Sequence, residues 1–353
     1  MRSHTPARRG VTGLALLTAA TALAGLLTAP AQAHGGPRGT LPQECSGTAP
    51  VVCHFDVPPG NYHVTAALGG SDAGRTAIEA EGRRALLAET ATAPGQLLRR
   101  SFTVNVRAVE SQPTGEVGSP GLDLRFGGSA PRLAGVRVTP ARHVPQILLA
   151  GDSTVCDQTL EPYAGWGQEL PQMLRRGVAV ANYADSGEST VSFLADPLLF
   201  DALESEVRRG DLVLIQLAHN DKTTTAEIYR ANLTTMAERV RGRGGEPVFV
   251  TPLVRRRFQR DGTLDAVAQH VMAANLPVEM RSLAARLDVP VVDLTALTRT
   301  LVEELGVEAS KDLYLTKVTG DNTHTSVYGA TTFARLVRDA LREQRLLPER
   351  LLR

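Results

Sequence analysis

The chain has 353 residues, 42% of them apolar and 21% charged, with a net charge of +1 at neutral pH. That length exceeds what a single hydrophobic core usually organises, so two folded domains are expected. The charge balance gives no basis for a nucleic-acid partner or an anionic membrane. The excess of arginine over the lysines Lys222, Lys311 and Lys317 reads as composition bias rather than a binding patch.

Arg8 and Arg9 open a charged region, VTGLALLTAATALAGLL follows, and Ala31-Gln32-Ala33 supplies a small-x-small cleavage site. Residues 1–33 are therefore expected to be a signal peptide cleaved near Ala33, leaving a secreted protein without membrane insertion. Export permits disulfides. Cys45 and Cys53, eight residues apart, are expected to pair, which leaves Cys156 over. No Cys-x-x-Cys or Cys/His ligand spacing occurs, so metal binding by the three scattered cysteines is not expected, and no cofactor is expected.

Residues 41–142 contain short segments such as VVCHFDV, NYHVTAAL, SFTVNVRAV, LDLRFGG and LAGVRVTPA. Apolar and polar residues alternate in several of them, with turn residues between, which predicts a smaller N-terminal all-β sandwich domain. TAIEAEGRRALLAE fits either a helix or a hairpin, with Gly82 interrupting it. After the linker TPARHVPQ (139–146) the rhythm changes. Apolar strand candidates QILLAG, VAVANYA, DLVLIQLA, EPVFVTPL and VPVVDLT alternate with helical patterns such as PLLFDALESEVRR, TAEIYRANLTTMAERVR, VMAANLPVEMRSLAARL and TSVYGATTFARLVRDALREQ. Residues 146–347 are expected to form an α/β domain with a five-stranded, mostly parallel sheet, its function at the carboxyl ends of the strands.

Polar blocks follow those strands. Gly151-Asp152-Ser153-Thr154 ends the first, and a serine there can be exposed above the sheet or can simply cap a helix. Gly187, in NYADSGEST, can offer its N–H to an oxyanion or serve as a turn glycine. His219-Asn220-Asp221 closes the third strand, where the Asn220 amide is a further candidate donor. Asp321-Asn322-Thr323-His324 precedes the last helical pattern. Its carboxylate can hold one imidazole nitrogen while the other faces a serine, or the two can be a capping Asp and a solvated His.

GDST, the loop glycine, HND and DNTH, in that order, resemble the four blocks of the SGNH (GDSL-like) hydrolase superfamily. GDSTV, YAGWGQEL, NYADSGESTVSFL and DNTHTSVYGA are similar to the rhamnogalacturonan acetylesterase group of carbohydrate esterases. The resemblance spans roughly residues 146–347 and implies a flavodoxin-like three-layer sandwich, preceded by a β-sandwich of galactose-binding or carbohydrate-binding type. It implies Ser153 as nucleophile, His324 as general base and acid, and Asp321 as its orienting carboxylate. The oxyanion hole would be the Ser153 and Gly187 N–H groups with the Asn220 amide. Asp152 and Asp221 would hold loop geometry. Ala218 stands before His219 where the family usually has glycine.

The expected activity is a carboxylic ester hydrolase that removes O-acetyl groups from a plant cell-wall polysaccharide, rhamnogalacturonan or pectin. Tyr163, Trp166 and His219 are candidates to meet that substrate. The alternatives are a lipase or thioesterase acting on other acyl esters, and an inactive carbohydrate-binding protein. Cys156, one turn past Ser153, is expected to pack as a small apolar residue behind the site.

Overall fold

Alternation of apolar and polar residues favours strands with one face in a core, and every alternating segment of the first half forms one. The computed structural model describes residues 41–107, 112–115 and 119–353; the expected signal segment, 1–33, lies outside them. The strands are β1 (Cys45–Ser46), β2 (Val51–Phe55), β3 (Gly60–Gly69), β4 (Gly74–Ala80), β5 (Arg84–Thr92), β6 (Leu97–Val106), β7 (Leu122–Ala130) and β8 (Leu133–Pro140). They make two antiparallel sheets, ordered β1-β2-β7-β4-β5 and β6-β3-β8. Val64, Leu68, Ile78, Leu124 and Phe126, drawn from both sheets, belong to one buried apolar cluster. Each such side chain stabilises the fold by about 1.5–3 kcal/mol relative to exposure. TAIEAEGRRALLAE is the β4–β5 hairpin, and its turn uses left-handed backbone at Glu81 and Arg83 (φ 52° and 67°). Cys45 and Cys53 face each other across β1 and β2 and are disulfide-bonded.

The second half contributes β9 (Gln146–Gly151), β10 (Ala179–Asn182), β11 (Leu212–Gln216), β12 (Glu246–Val250) and β13 (Val291–Val292). All pair in parallel, in the order β10-β9-β11-β12-β13. Both faces are covered, which is why these segments read as continuous apolar runs. Ile147 and Leu149 join a cluster with Phe333 and Val337 of helix Val327–Glu343. Leu148 and Ala150 point the other way, toward Leu233 and Met236 of helix Ala226–Gly242 and Met280 of helix Leu276–Leu287. Strand order reverses at β9, flanked by β10 and β11. Such a switch point opens a crevice at the carboxyl ends of the strands.

Local chemistry moved several boundaries. VMAANLPVEMRSLAARL becomes helical only at Leu276, because Asn275 caps the Val278 N–H and Pro277 occupies the first turn. PLLFDALESEVRR divides into a π-turn, Pro197–Asp201, and a short helix, Ala202–Glu206. VPVVDLT keeps only two strand residues, since Asp293 accepts the Ala296 N–H and starts helix Leu294–Ala309, an element outside the patterns expected from the sequence.

The sandwich and the α/β half pack within one compact unit. Asn61 of β3 donates to Gln146, the first residue of β9, at 3.1 Å. Arg84 of β5 reaches Asp157 beyond β9 at 2.8 Å, with both side chains buried. Among the described residues, no helix is long and apolar enough to cross a membrane.

Candidate active site

Asp152 builds the turn that presents Ser153. Its Oδ1 accepts the Thr154 backbone N–H (2.9 Å) and hydroxyl (2.8 Å), and its carbonyl accepts the Val155 N–H (2.9 Å). This is an Asx turn, and no helix starts here, so the cap alternative does not hold. Gly151 permits the sharp departure from β9, since a Cβ there would lie 2.6 Å from Val155 Cγ2. Gln216, the last residue of β11, donates to the Thr154 hydroxyl at 2.8 Å and accepts the Trp166 indole N–H at 2.8 Å. The turn is thereby fixed from below.

The loop before helix Val327–Glu343 brings the other two groups over the sheet. Asp321 Oδ1 accepts the backbone N–H groups of Thr323 (2.7 Å) and His324 (3.1 Å), so this carboxylate shapes its own loop. Its Oδ2 lies 2.6 Å from His324 Nδ1, and His324 Nε2 lies 3.0 Å from Ser153 Oγ. With Nδ1–H directed at Asp321, the Nε2 lone pair faces the serine hydroxyl. Burial works to raise the Asp321 carboxyl, but the hydrogen bonds from His324 and Thr323 outweigh it and hold the group below its ordinary range. Tyr163 flanks the pair: its hydroxyl donates to the Ser153 carbonyl at 3.1 Å, and its ring centre is 5.0 Å from that of His324.

Gly187 sits in the loop after β10 with φ +88°, a conformation that glycine adopts without strain. Among the described residues, the N–H groups of Ser153 and Gly187 donate to no other protein group. The Asn220 amide gives one hydrogen to the Glu188 carbonyl (3.0 Å), which ties the HND block to the Gly187 loop and leaves its second hydrogen unused. Asp221 turns inward and accepts the Thr190 N–H (3.0 Å) and hydroxyl (2.6 Å), a loop-holding contact.

Two of the three candidate substrate residues are buried. Trp166 is 1% exposed beneath the site, with its only polar atom engaged by Gln216, so it presents no face to a sugar ring. His219 is 2% exposed and donates Nδ1–H to Asp152 Oδ2 at 3.2 Å. Burial pushes its pKa down, and at neutral pH it is a neutral imidazole supporting the serine turn. These are corrections to the expectation that both meet substrate: neither has accessible surface to do so. Tyr163 remains partly exposed at the site. Cys156 is fully buried, accepts from Gln158 Nε2 at 2.8 Å, and has its thiol pushed well up by burial, so it is not a thiolate. No cluster of three metal-ligating side chains occurs among the described residues.

Other residues at the site carried no readable sequence signal. Arg84 and Asp157 are 73 positions apart, and Gln112 of the sandwich half accepts the Ser186 N–H at 2.7 Å beside Gly187. Arg255 was within reach of the strand-end argument, since Arg255-Arg256-Arg257 follows β12 as the other polar blocks follow their strands.

Residues 149–344 match the profile of the GDSL-like lipase/acylhydrolase family. Rhamnogalacturonan acetylesterase RhgT of Bacillus subtilis (strain 168) is 39% identical over 214 residues, covering 56% of this chain and 90% of that protein. The uncharacterized esterase YxiM of the same organism is 27% identical over 301 residues, covering 82% of this chain and 74% of its own. The crystal structure of YxiM superimposes with a TM-score of 0.54 at 23% identity, over 84% of this chain and 80% of that one, a likeness of fold that spans both halves.

Proposed function

The chain belongs to the GDSL-like lipase/acylhydrolase family and is a carboxylic ester hydrolase; from that premise we propose that it deacetylates an acetylated plant cell-wall polysaccharide, rhamnogalacturonan or pectin, outside the cell. In this reading residues 146–347 are the catalytic domain, residues 41–142 a β-sandwich domain beside it, and residues 1–33 the export signal. The observation that carries the reading is the unbroken relay Ser153 Oγ–His324 Nε2 (3.0 Å) and His324 Nδ1–Asp321 Oδ2 (2.6 Å).

Ser153 attacks the acetyl carbonyl as His324 Nε2 takes its proton, and the Asp321 carboxylate stabilises the imidazolium formed. The tetrahedral oxyanion is held by the N–H groups of Ser153 and Gly187 and by the Asn220 amide hydrogen that Glu188 leaves free. Collapse expels the sugar alkoxide, which takes the proton back from His324. Water then attacks the acetyl-serine with the same proton path, releasing acetate and restoring the hydroxyl. No step calls on a cofactor. The acetyl group and the polysaccharide are supported by the 39% identity to a protein named as a rhamnogalacturonan acetylesterase.

The test is acetate release from acetylated rhamnogalacturonan, acetylated xylan and a 4-nitrophenyl ester series of increasing chain length. The reading expects acetate from the pectic polymer and fastest ester cleavage at two carbons. Activity that peaks on long acyl chains, with no acetate from any polymer, overturns it in favour of a lipase or thioesterase.

A further inference from the structure

Next to the relay lies a cavity of about 490 Å³ lined by Lys222, Arg255, Arg257, Val267, Met272, Asn322 and Thr323. It holds three cations and no carboxylate in its wall, in a protein whose net charge is only +1. It shares Asn322 and Thr323 with the loop that carries Asp321 and His324, and so opens directly beside the proposed reacting centre.

Arg255 is the fixed element of this wall. Its Nη1 donates to the Thr323 hydroxyl (2.9 Å) and its Nη2 to the His219 carbonyl (2.8 Å), while its buried Nε has no hydrogen-bond partner. Only neutral oxygens satisfy it, and among the described residues no carboxylate lies within ion-pair distance. A half-buried guanidinium held this way is an incomplete arrangement, because desolvating a charge is costly unless an opposite charge compensates. Lys222 is exposed and likewise unpaired among the described residues. Arg257 contacts Asp265 through Nε alone (3.0 Å), which leaves its outer nitrogens free of that contact. Val267 and Met272 supply an apolar floor against which a sugar ring can pack.

We infer that this cavity is an anion subsite that takes the carboxylate of a sugar-acid residue neighbouring the acetylated sugar. A polymer of uronic acids carries one carboxylate per acidic residue. Seating one of them on Lys222, Arg255 and Arg257 fixes the register in which an acetyl group reaches Ser153. A planar carboxylate suits the guanidinium fork. Arg255 and Arg257, in the loop after β12 and read from composition as bias, are on this account the specificity element for an acidic polysaccharide. The subsite rests on the polysaccharide reading proposed above, but its test reads binding and needs no turnover.

Trigalacturonate and the neutral galactotriose are titrated calorimetrically into the full chain and into the Lys222→Gln/Arg257→Gln variant. The expected result is trigalacturonate bound at least tenfold more tightly than galactotriose. The advantage should fall about tenfold in the double variant, each lost charge accounting for roughly threefold to fivefold. It should also shrink between 0.05 and 0.5 M salt as the charges are screened. The charge-keeping exchange Lys222→Arg/Arg257→Lys retains most of it. Trigalacturonate that binds no better than galactotriose, or binds the neutralised variant as tightly as the parent, overturns the subsite. Acetate release from a neutral acetylated xylan, measured alongside, reports on the esterase reading separately: the subsite can fail while that activity stands, and the reverse.

Discussion

The two halves of the molecule meet the site in different ways. In the proposed mechanism the α/β half supplies every group that touches the ester, each from a loop at the carboxyl end of a strand or before the last helix. The β-sandwich supplies none, yet it holds those loops. Arg84 of β5 donates to Asp157 (3.0 and 2.8 Å), four residues past Ser153. Arg83 Nη1 donates to the carbonyls of Gln158 (2.9 Å) and Tyr163 (3.1 Å), and the Gly82 carbonyl accepts from Gln168 at 3.0 Å. Gln112 and Thr114 contact Ser186 and Asp185, the two residues that lead into Gly187. In the proposed mechanism one half therefore supplies the reacting groups, and the other holds their loops through hydrogen bonds, of which the Arg84–Asp157 pair is the fully buried one.

Removing the buried brace is expected to have the largest effect. Arg84→Met takes the guanidinium from the buried Asp157 carboxylate, which keeps the Asn182 amide at 2.7 Å; removing one partner of a buried ion pair typically costs about 3–5 kcal/mol. Denaturant unfolding should show a destabilisation of that order, and Arg84→Met/Asp157→Leu should recover most of it. A single variant as stable as the parent would mean that the sandwich does not brace the serine loop.

Next comes a group on the reacting side. Asn220→Ala deletes one donor of the proposed oxyanion hole, and such a donor is worth about 2.7–4 kcal/mol in the transition state. Turnover should fall roughly 100- to 1000-fold, with the thermal midpoint little changed. Near-normal turnover would remove Asn220 from the proposed oxyanion hole.

The smallest effect concerns Glu169, a buried carboxyl beneath the site that accepts from Thr331 (2.9 Å) and Gln172 (2.5 Å). Burial raises its pKa to about 7, against an ordinary value of 4.5. The folded state thus holds the proton more tightly than the unfolded chain does. The resulting stability is fully present below pH 4.5 and is lost as pH rises through 7. A shift of this size corresponds to at most about 3 kcal/mol. Glu169→Gln should flatten the fall in melting temperature between pH 5 and pH 8. Parallel profiles for variant and parent would show that Glu169 is not the group responsible.

Much of the reacting side was legible because its groups sit at places that strand periodicity marks. QILLAG ends at Gly151 both as a sequence pattern and as β9, so the polar block after it stood out. The same holds for His219-Asn220-Asp221, only three to five residues beyond Gln216, the end of β11. What periodicity does not give is orientation. Trp166 and His219 belong to the right blocks but point into the protein, where the Trp166 indole N–H is engaged by Gln216 and His219 Nδ1 by Asp152. The bracing side was not legible at all: Arg84–Asp157 and Gln112–Ser186 join segments more than seventy residues apart, and no local spacing announces such a pair.

The central claim is that Ser153 is the nucleophile, activated by His324. Labelling with a fluorophosphonate probe followed by peptide mapping tests it most directly, since the probe reacts covalently with an activated serine hydroxyl. The account predicts one label, on the peptide containing Gly151-Asp152-Ser153-Thr154, absent in Ser153→Ala and strongly slowed in His324→Ala. Label on a different serine, or undiminished label in Ser153→Ala, would contradict it.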